Sequence, residues 1–101
     1  MQVSYQYQGK WRIKSLLEAV VVVGRPNAEA AIGIDLSPDT TVSRVHAKIW
    51  LADGQCWIED LGSRYGTTVN DTQLTGRQQL QEGDLIAIGE TTLRVDASDG
   101  A

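Results

Sequence analysis

Three arginines in this chain stand directly after glycine or serine where a strand meets a loop, in Gly24-Arg25, Ser43-Arg44 and Ser63-Arg64, while most other cations fall on alternating or scattered positions. A guanidinium fork can bind two oxygens of one phosphate at once, serine hydroxyls can donate to the remaining oxygens, and glycine loops offer backbone N–H groups. These are the parts of an anion site. Each charge-assisted bond contributes roughly 1.5 to 3 kcal/mol, so two arginines and a serine supply most of the free energy of a micromolar peptide complex, about 8 kcal/mol. The parts are densest in Asp60-Leu61-Gly62-Ser63-Arg64-Tyr65-Gly66-Thr67-Thr68-Val69-Asn70, a stretch without hydrophobic pattern that reads as one binding loop.

Other chemistries fit less well. Ser43 or Ser63 with His46 and Asp60 has the residue types of a hydrolytic triad. However, Ser43 and His46 are three apart across a loop-to-strand junction, and no Gly-x-Ser-x-Gly elbow is present. The chain also has little room for a substrate pocket, so no enzymatic activity is expected. A single Cys56 and a single His46 leave no ligand set for structural zinc and no internal disulfide. Thirteen acidic against nine basic residues, a net charge of −4, argue against non-specific nucleic-acid binding, so any anion site has to be local.

The elements that must position these residues can be read from periodicity. Val3, Tyr5 and Tyr7 alternate with polar residues, Gly9 interrupts, and Trp11 and Ile13 then alternate with Lys10, Arg12 and Lys14, which reads as a hairpin. Trp11 among three cations has the composition of a stacking platform for single-stranded nucleic acid. A strand with one face in the core gives the same pattern, and the acidic total favours that second reading. Residues 19–23 form an aliphatic run, predominantly β-branched, fit for a strand buried on both faces or at a sandwich core, and it stops at Gly24-Arg25-Pro26-Asn27. Residues 28–36 read as mostly loop with a short strand, and Ser37-Pro38-Asp39 is a turn signal. Val45, Ala47, Ile49 and Leu51 alternate with His46, Lys48 and Trp50; Asp53-Gly54 marks a tight turn, and Cys56, Ile58 and Asp60 carry the return strand. Short strands and turns then recur to Val95 at the spacing of a sandwich or barrel. The class is all-β. In a sandwich, loops gather at the two ends, where side chains from separate loops can pool.

Gly24-Arg25, Ser43-Arg44-Val45-His46 and the run from Asp60 to Asn70, with Ile34-Asp35-Leu36 between them and 80–89 after them, closely resemble the forkhead-associated (FHA) domain in order and spacing. The resemblance implies an eleven-stranded, antiparallel-type β-sandwich of the FHA/SMAD-like kind. The loops at one end of such a sandwich bind a phosphothreonine-containing protein or peptide, without catalysis, cofactor or metal. Carried over by position, Arg25, Ser43 and Arg64 would bind phosphate, and Arg44, Ser63 and Tyr65 would line the site or meet the peptide. Gly24, His46, Gly66 and Asn70 would structure the loops. One departure is Tyr65, which stands before Gly66 where the family often has a peptide-gripping asparagine. Residues 27–35 and 71–77 are the segments placed to read the peptide on the C-terminal side of the phosphothreonine. Preference for threonine would need a small apolar pocket for its methyl group, contributing about 1 kcal/mol.

The expected organisation is one domain over residues 1–95 with a flexible tail or linker at 96–101, the chain being a possible part of a larger protein. No run approaches the roughly 20 apolar residues needed to span a bilayer, and no signal peptide is visible, so a cytoplasmic signalling role without membrane insertion is expected. The competing reading is a phosphate-independent scaffold or self-association domain, using a face built on Lys48, Trp50 and Trp57; exposure of both tryptophans would favour it.

Overall fold

The computed structural model describes residues 2–16, 20–37 and 39–96, and within them the alternating pattern resolves into eleven strands and no helix. These are β1 (Gln2–Tyr7), β2 (Lys10–Ser15), β3 (Val20–Gly24), β4 (Ile34–Asp35), β5 (Val45–Ala52), β6 (Gln55–Asp60), β7 (Thr67–Val69), β8 (Thr72–Gln73), β9 (Gln78–Leu80), β10 (Leu85–Ile88) and β11 (Thr91–Asp96). They form two sheets, ordered β2-β1-β11-β10-β7-β8 and β4-β3-β5-β6-β9. All pairings are antiparallel except β3 with β4, which run parallel. No helix among the described residues is long and apolar enough to cross a membrane.

The inner faces of the two sheets carry the core. Val3, Val21, Val23, Ala47, Ile49, Cys56, Ile58, Val69, Ile86, Ile88, Leu93 and Val95 are each at most 1% exposed. They sit at every second position of their strands, as two stacked sheets require. The 19–23 run is thus a sandwich strand with one buried face, since Val20 is 48% exposed while Val21 and Val23 are buried; Ala19 lies outside the described residues.

Three tight hairpins share one turn chemistry. Gln8-Gly9, Asp53-Gly54 and Asn70-Asp71 all have both central residues at positive φ, from 50° to 78°. That geometry matches the right-handed twist of the flanking strands and favours Gly, Asn and Asp. The third of these turns falls at the end of the expected binding loop and shortens it. The stretch from Asp60 to Asn70 is not a single loop: residues 61–66 are loop, and β7 comes after them. In a three-residue strand the alternation reduces to two positions, Thr67 and Val69, and Thr67 reads as polar although it is fully buried.

β2 corrects a second expectation. It has no face in the core: Trp11 is 63% and Ile13 65% exposed, because β2 is the outermost strand of its sheet. At the other end of the chain β11 includes Asp96, one residue beyond the expected domain limit, and Gln2 pairs with Asp96 across the sheet. The rest of the expected tail, 97–101, lies outside the described residues, as does Pro38 of the expected 37–39 turn.

Candidate functional site

Arg25 comes directly after the last residue of β3, and Ser43 and Arg44 immediately precede β5. The two junctions touch because Gly24 lets them: a Cβ there would lie 2.2 Å from the carbonyl oxygen of Arg44. In that gap the Arg25 N–H donates to the Arg44 carbonyl at 3.1 Å, and the ladder between β3 and β5 shifts register. Asn27 locks the junction, its amide donating to the carbonyls of Arg25 (2.8 Å) and Arg44 (3.0 Å) while its Oδ1 accepts the N–H of Glu29 and Ala30.

The loop at 61–66 is organised by one carboxylate. Asp60 Oδ1 accepts the N–H of Gly62 and of Ser63, both at 2.8 Å, and Oδ2 accepts the hydroxyls of Ser63 (2.5 Å) and Thr67 (2.7 Å). Burial alone pushes this carboxyl up, but those bonds outweigh it and hold Asp60 below the ordinary carboxylate range. Ser63 Oγ also accepts the Gly66 N–H at 2.9 Å, so the Ser63 hydroxyl is committed inside the loop. Gly66 has φ +82°, a conformation that favours glycine, whereas the Gln73 side-chain amide, 2.3 Å from where a Cβ would lie, is the end of an exposed, flexible side chain that can move aside.

His46 clasps the two loops. It is fully buried, its Nδ1 accepts the Ser43 N–H at 3.0 Å, and its Nε2 lies 2.9 Å from the Gly66 carbonyl. An Nδ1 that accepts leaves the ring proton on Nε2, which therefore donates to Gly66. Asp60 Oδ2 lies 3.9 Å from Nε2, so serine, histidine and aspartate do assemble here. With both ring nitrogens engaged by backbone, though, His46 is not positioned to take a proton from either serine. After β7 the Asn70 side chain ties the turn to the start of β10: its Oδ1 accepts the Leu85 N–H at 3.0 Å and its amide donates to Asp84 at 2.9 Å.

Between the clasped loops is an open recess of about 480 Å³, lined by Arg25, Glu29, Ser43, Arg44, Val45, Leu61 and Arg64. The three arginines proposed from their sequence context therefore meet, with one acidic side chain among them. Ser43 Oγ accepts the Arg64 N–H at 3.0 Å, and its own proton has no acceptor among the described residues. The Arg25 side chain has no acidic partner among the described residues, and its Nε is buried without a hydrogen bond. Arg44 sits 3.8 Å from Glu29, both about two-thirds exposed, a pair weak enough to be exchanged for a ligand. Arg64 stacks on the Tyr65 ring, 5.3 Å from its centroid. Ser63 and Tyr65 are not among the lining residues, and none of 71–77 is.

Two positioning residues, Asp60 and Asn27, were missed from the sequence. In the sequence Asp60 reads as a triad member, as the end of a strand and as the first residue of the loop, but not as its organiser; the signal for that role is a carboxylate with Gly and Ser two and three residues on, the pattern of an Asx turn. Asn27 makes the same kind of turn, its Oδ1 accepting from the residues two and three further on, and the signal for it is an Asn directly after Pro26. Val45 and Leu61, which give the recess its apolar part, have no separate signal.

Two other surfaces bear on the competing readings. Trp50 and Trp57 pair directly across β5 and β6, half-buried on the outer face of their sheet, with Lys48 Nζ 5.1 Å and the Arg77 guanidinium 5.8 Å from their ring centroids. Neither is exposed, so the observation that would have favoured the scaffold reading is not met. On β2, Lys10 and Arg12 lie on the face opposite Trp11, so cation and ring do not combine into a stacking platform.

The FHA domain family model matches residues 21–89. The chain is 39% identical over 80 residues to Protein FraH of Nostoc sp., an alignment covering 74% of this chain and 28% of that protein, so the chain spans about a quarter of the relative's length. The crystal structure of the FhaA FHA domain, complexed with the intracellular domain of a second protein, superposes with a TM-score of 0.80 at 31% identity, covering 92% of this chain and 96% of that one. A structure from an analysis of phosphothreonine-dependent FHA domain interactions gives 0.77 at 31% identity, covering 97% and 98%.

Proposed function

Because the chain belongs to the FHA domain family, we propose that it is a non-catalytic module that recognises phosphothreonine-containing proteins or peptides and so makes a protein–protein interaction depend on phosphorylation. The observation that carries this reading is the recess in which an acid-free Arg25, a Ser43 hydroxyl with its proton to give, and Arg64 converge. A doubly charged phosphate fits that set: the Arg25 fork takes two oxygens, Ser43 donates to a third, and Arg64 offsets the remaining charge. Related structures come from work on phosphothreonine-dependent FHA interactions, which supports the same chemistry.

The finer assignments rest on position. Arg44, released from Glu29, meets the peptide backbone or an adjacent side chain. Val45 and Leu61 form the apolar wall against which a threonine methyl packs, contributing about 1 kcal/mol over serine. Tyr65 acts on the peptide indirectly, by holding the Arg64 guanidinium over its ring. Gly24, His46, Gly66 and Asn70 hold the loops.

The test is a titration of a phosphothreonine peptide library against its unphosphorylated counterpart. Binding should require phosphate. Arg25→Ala, which removes a bidentate contact of about 3 kcal/mol or more, should weaken it at least about 100-fold while leaving thermal unfolding nearly unchanged, since the side chain has no acidic partner among the described residues. Equal binding of both libraries would refute the reading.

A further inference from the structure

The sequence of β2 alternates Lys10, Arg12 and Lys14 with Trp11, Ile13 and Ser15, and the register decides which set faces where. Tyr5 pairs with Arg12, Tyr7 with Lys10 and Val3 with Lys14, so the cations share a side with the inward residues of β1. The Arg12 guanidinium lies 5.0 Å from the Tyr7 ring centroid and, with Tyr5, Tyr7 and Asp35, lines a small recess on that side. Trp11 and Ile13 pair with Gln6 and Ser4 and point to solvent. An amphipathic strand ordinarily presents its apolar face to the core; this one is inverted. Beside Trp11 the outer face forms a second recess of about 290 Å³ with Gln6, Glu90, Thr91 and Thr92. β2 is also the end strand of its sheet, so its outer row of backbone N–H and C=O groups has no strand partner among the described residues.

We propose that this edge takes an extended segment of another protein as a seventh strand, and that the segment alternates acidic with apolar side chains. A strand added to a sheet places its side chains opposite those of its neighbour on the same face. Acidic residues would then stand against Lys10, Arg12 and Lys14, and apolar residues would cover Trp11 and Ile13. The same rule excludes a second copy of this chain as occupant. In any antiparallel self-pairing that keeps the faces continuous, even-numbered positions oppose even-numbered ones; the central register sets Arg12 against Arg12 and each Lys10 against a Lys14. Like charges directly opposite destabilise a pair. Trp11 and Ile13 would match in that register, yet the cations oppose it, so the edge is closed to itself and open to an acidic strand. The net charge of −4 concentrates this specificity, since the three cations of β2 are a third of the nine in the whole chain.

The experiment uses the full chain, labelled for amide NMR, titrated with a capped heptapeptide Glu-Val-Glu-Ile-Glu-Val-Glu and with its lysine counterpart Lys-Val-Lys-Ile-Lys-Val-Lys. The expected result is shifts and exchange protection at the amides of residues 10–15, with the acidic peptide at least about tenfold tighter. The double variant Lys10→Glu with Arg12→Glu should reverse that order. Trp11→Thr with Ile13→Thr keeps strand propensity and should weaken the acidic peptide about tenfold, and Ile13→Thr alone should weaken it in part if the double variants do not fold. Equal affinity for both peptides, no binding, or shifts confined to the recess of Arg25, Ser43 and Arg64 would overturn the proposal. So would sedimentation showing a concentration-dependent dimer that Trp11→Thr abolishes, because the occupant would then be a second copy.

Discussion

Asp60→Asn is the substitution that separates the architecture of the recess from its charge. The wild-type carboxylate accepts four hydrogen bonds, from Gly62 N, Ser63 N, Ser63 Oγ and Thr67 Oγ1. Asparagine keeps one oxygen for the two backbone donors, and the hydroxyls can rotate to accept from its amide. Geometry is thus largely preserved while the charge is lost. A hydrogen bond to a charged group contributes about 1.5 to 3 kcal/mol and a neutral one about 0.5 to 1.5, so each bond weakens by roughly 1 kcal/mol. The Asp60 side chain is 21% exposed, and water recovers part of that difference; we expect a net loss of about 2 to 3 kcal/mol at pH 7, equivalent to a fall in Tm of about 10 °C or more for a domain of this size. The pH dependence supplies the internal control. The folded-state pKa of Asp60 lies below its ordinary value of 3.8, so its contribution stands in full above that value and is lost as pH falls through the folded-state pKa. Urea titrations from pH 7 down to pH 2 should show the two proteins converging in stability at the acid end. Asp39 and Asp96, also held below the ordinary range, leave the variant some acid sensitivity of its own. A variant as stable as wild type at pH 7, or a stability difference that does not shrink with acidification, would refute the assignment of Asp60 as the charged organiser of the loop.

Further predictions concern the backbone and the core. Gly24→Ala places a methyl 2.2 Å from a backbone oxygen that cannot retreat, and should cost more than about 3 kcal/mol. Gly9→Ala, at φ +78° in open space, should cost only about 1 kcal/mol; chemical denaturation of both variants checks the contrast. Cys56 is fully buried and its thiol is pushed up to about 11 by desolvation. It should resist alkylation by iodoacetamide at pH 8 in the native protein and react at once in 6 M guanidinium; rapid native labelling would contradict the placement.

The all-β class and most strand positions were legible because alternation is a local signal. Ile86 and Ile88, or Cys56 and Ile58, declare a buried face within three residues. Short strands lose that signal: at Thr67–Val69 the buried hydroxyl of Thr67 is satisfied by Asp60, seven residues away, and nothing nearby in sequence marks it as core. β2 failed for a different reason. Its alternation is strong, but which face turns inward depends on pairing with β1 and on being the last strand of the sheet, and neither is a property of residues 10–15. The arginines of the recess were legible as candidate chemistry, since each follows a glycine or serine where a strand meets a loop. Their convergence was not, because it depends on Gly24 admitting the Arg44 carbonyl and on His46 spanning from Ser43 to Gly66.

The pairing of Gln2 with Asp96 also fixes how the domain would carry tension. β1 and β11 are antiparallel, and their terminal residues are opposite each other at the same end of the ladder, a strand spacing of about 5 Å apart. Force applied through the two ends therefore loads the ladder one rung at a time, like a zipper, and does not shear several rungs together. A domain attached to its neighbours through these ends should open at low force from this seam, beginning with the hydrogen bond from Ser4 to Asp96. The recess formed by the β3–β5 and β6–β7 junctions belongs to other strand pairs and would be among the later parts to yield.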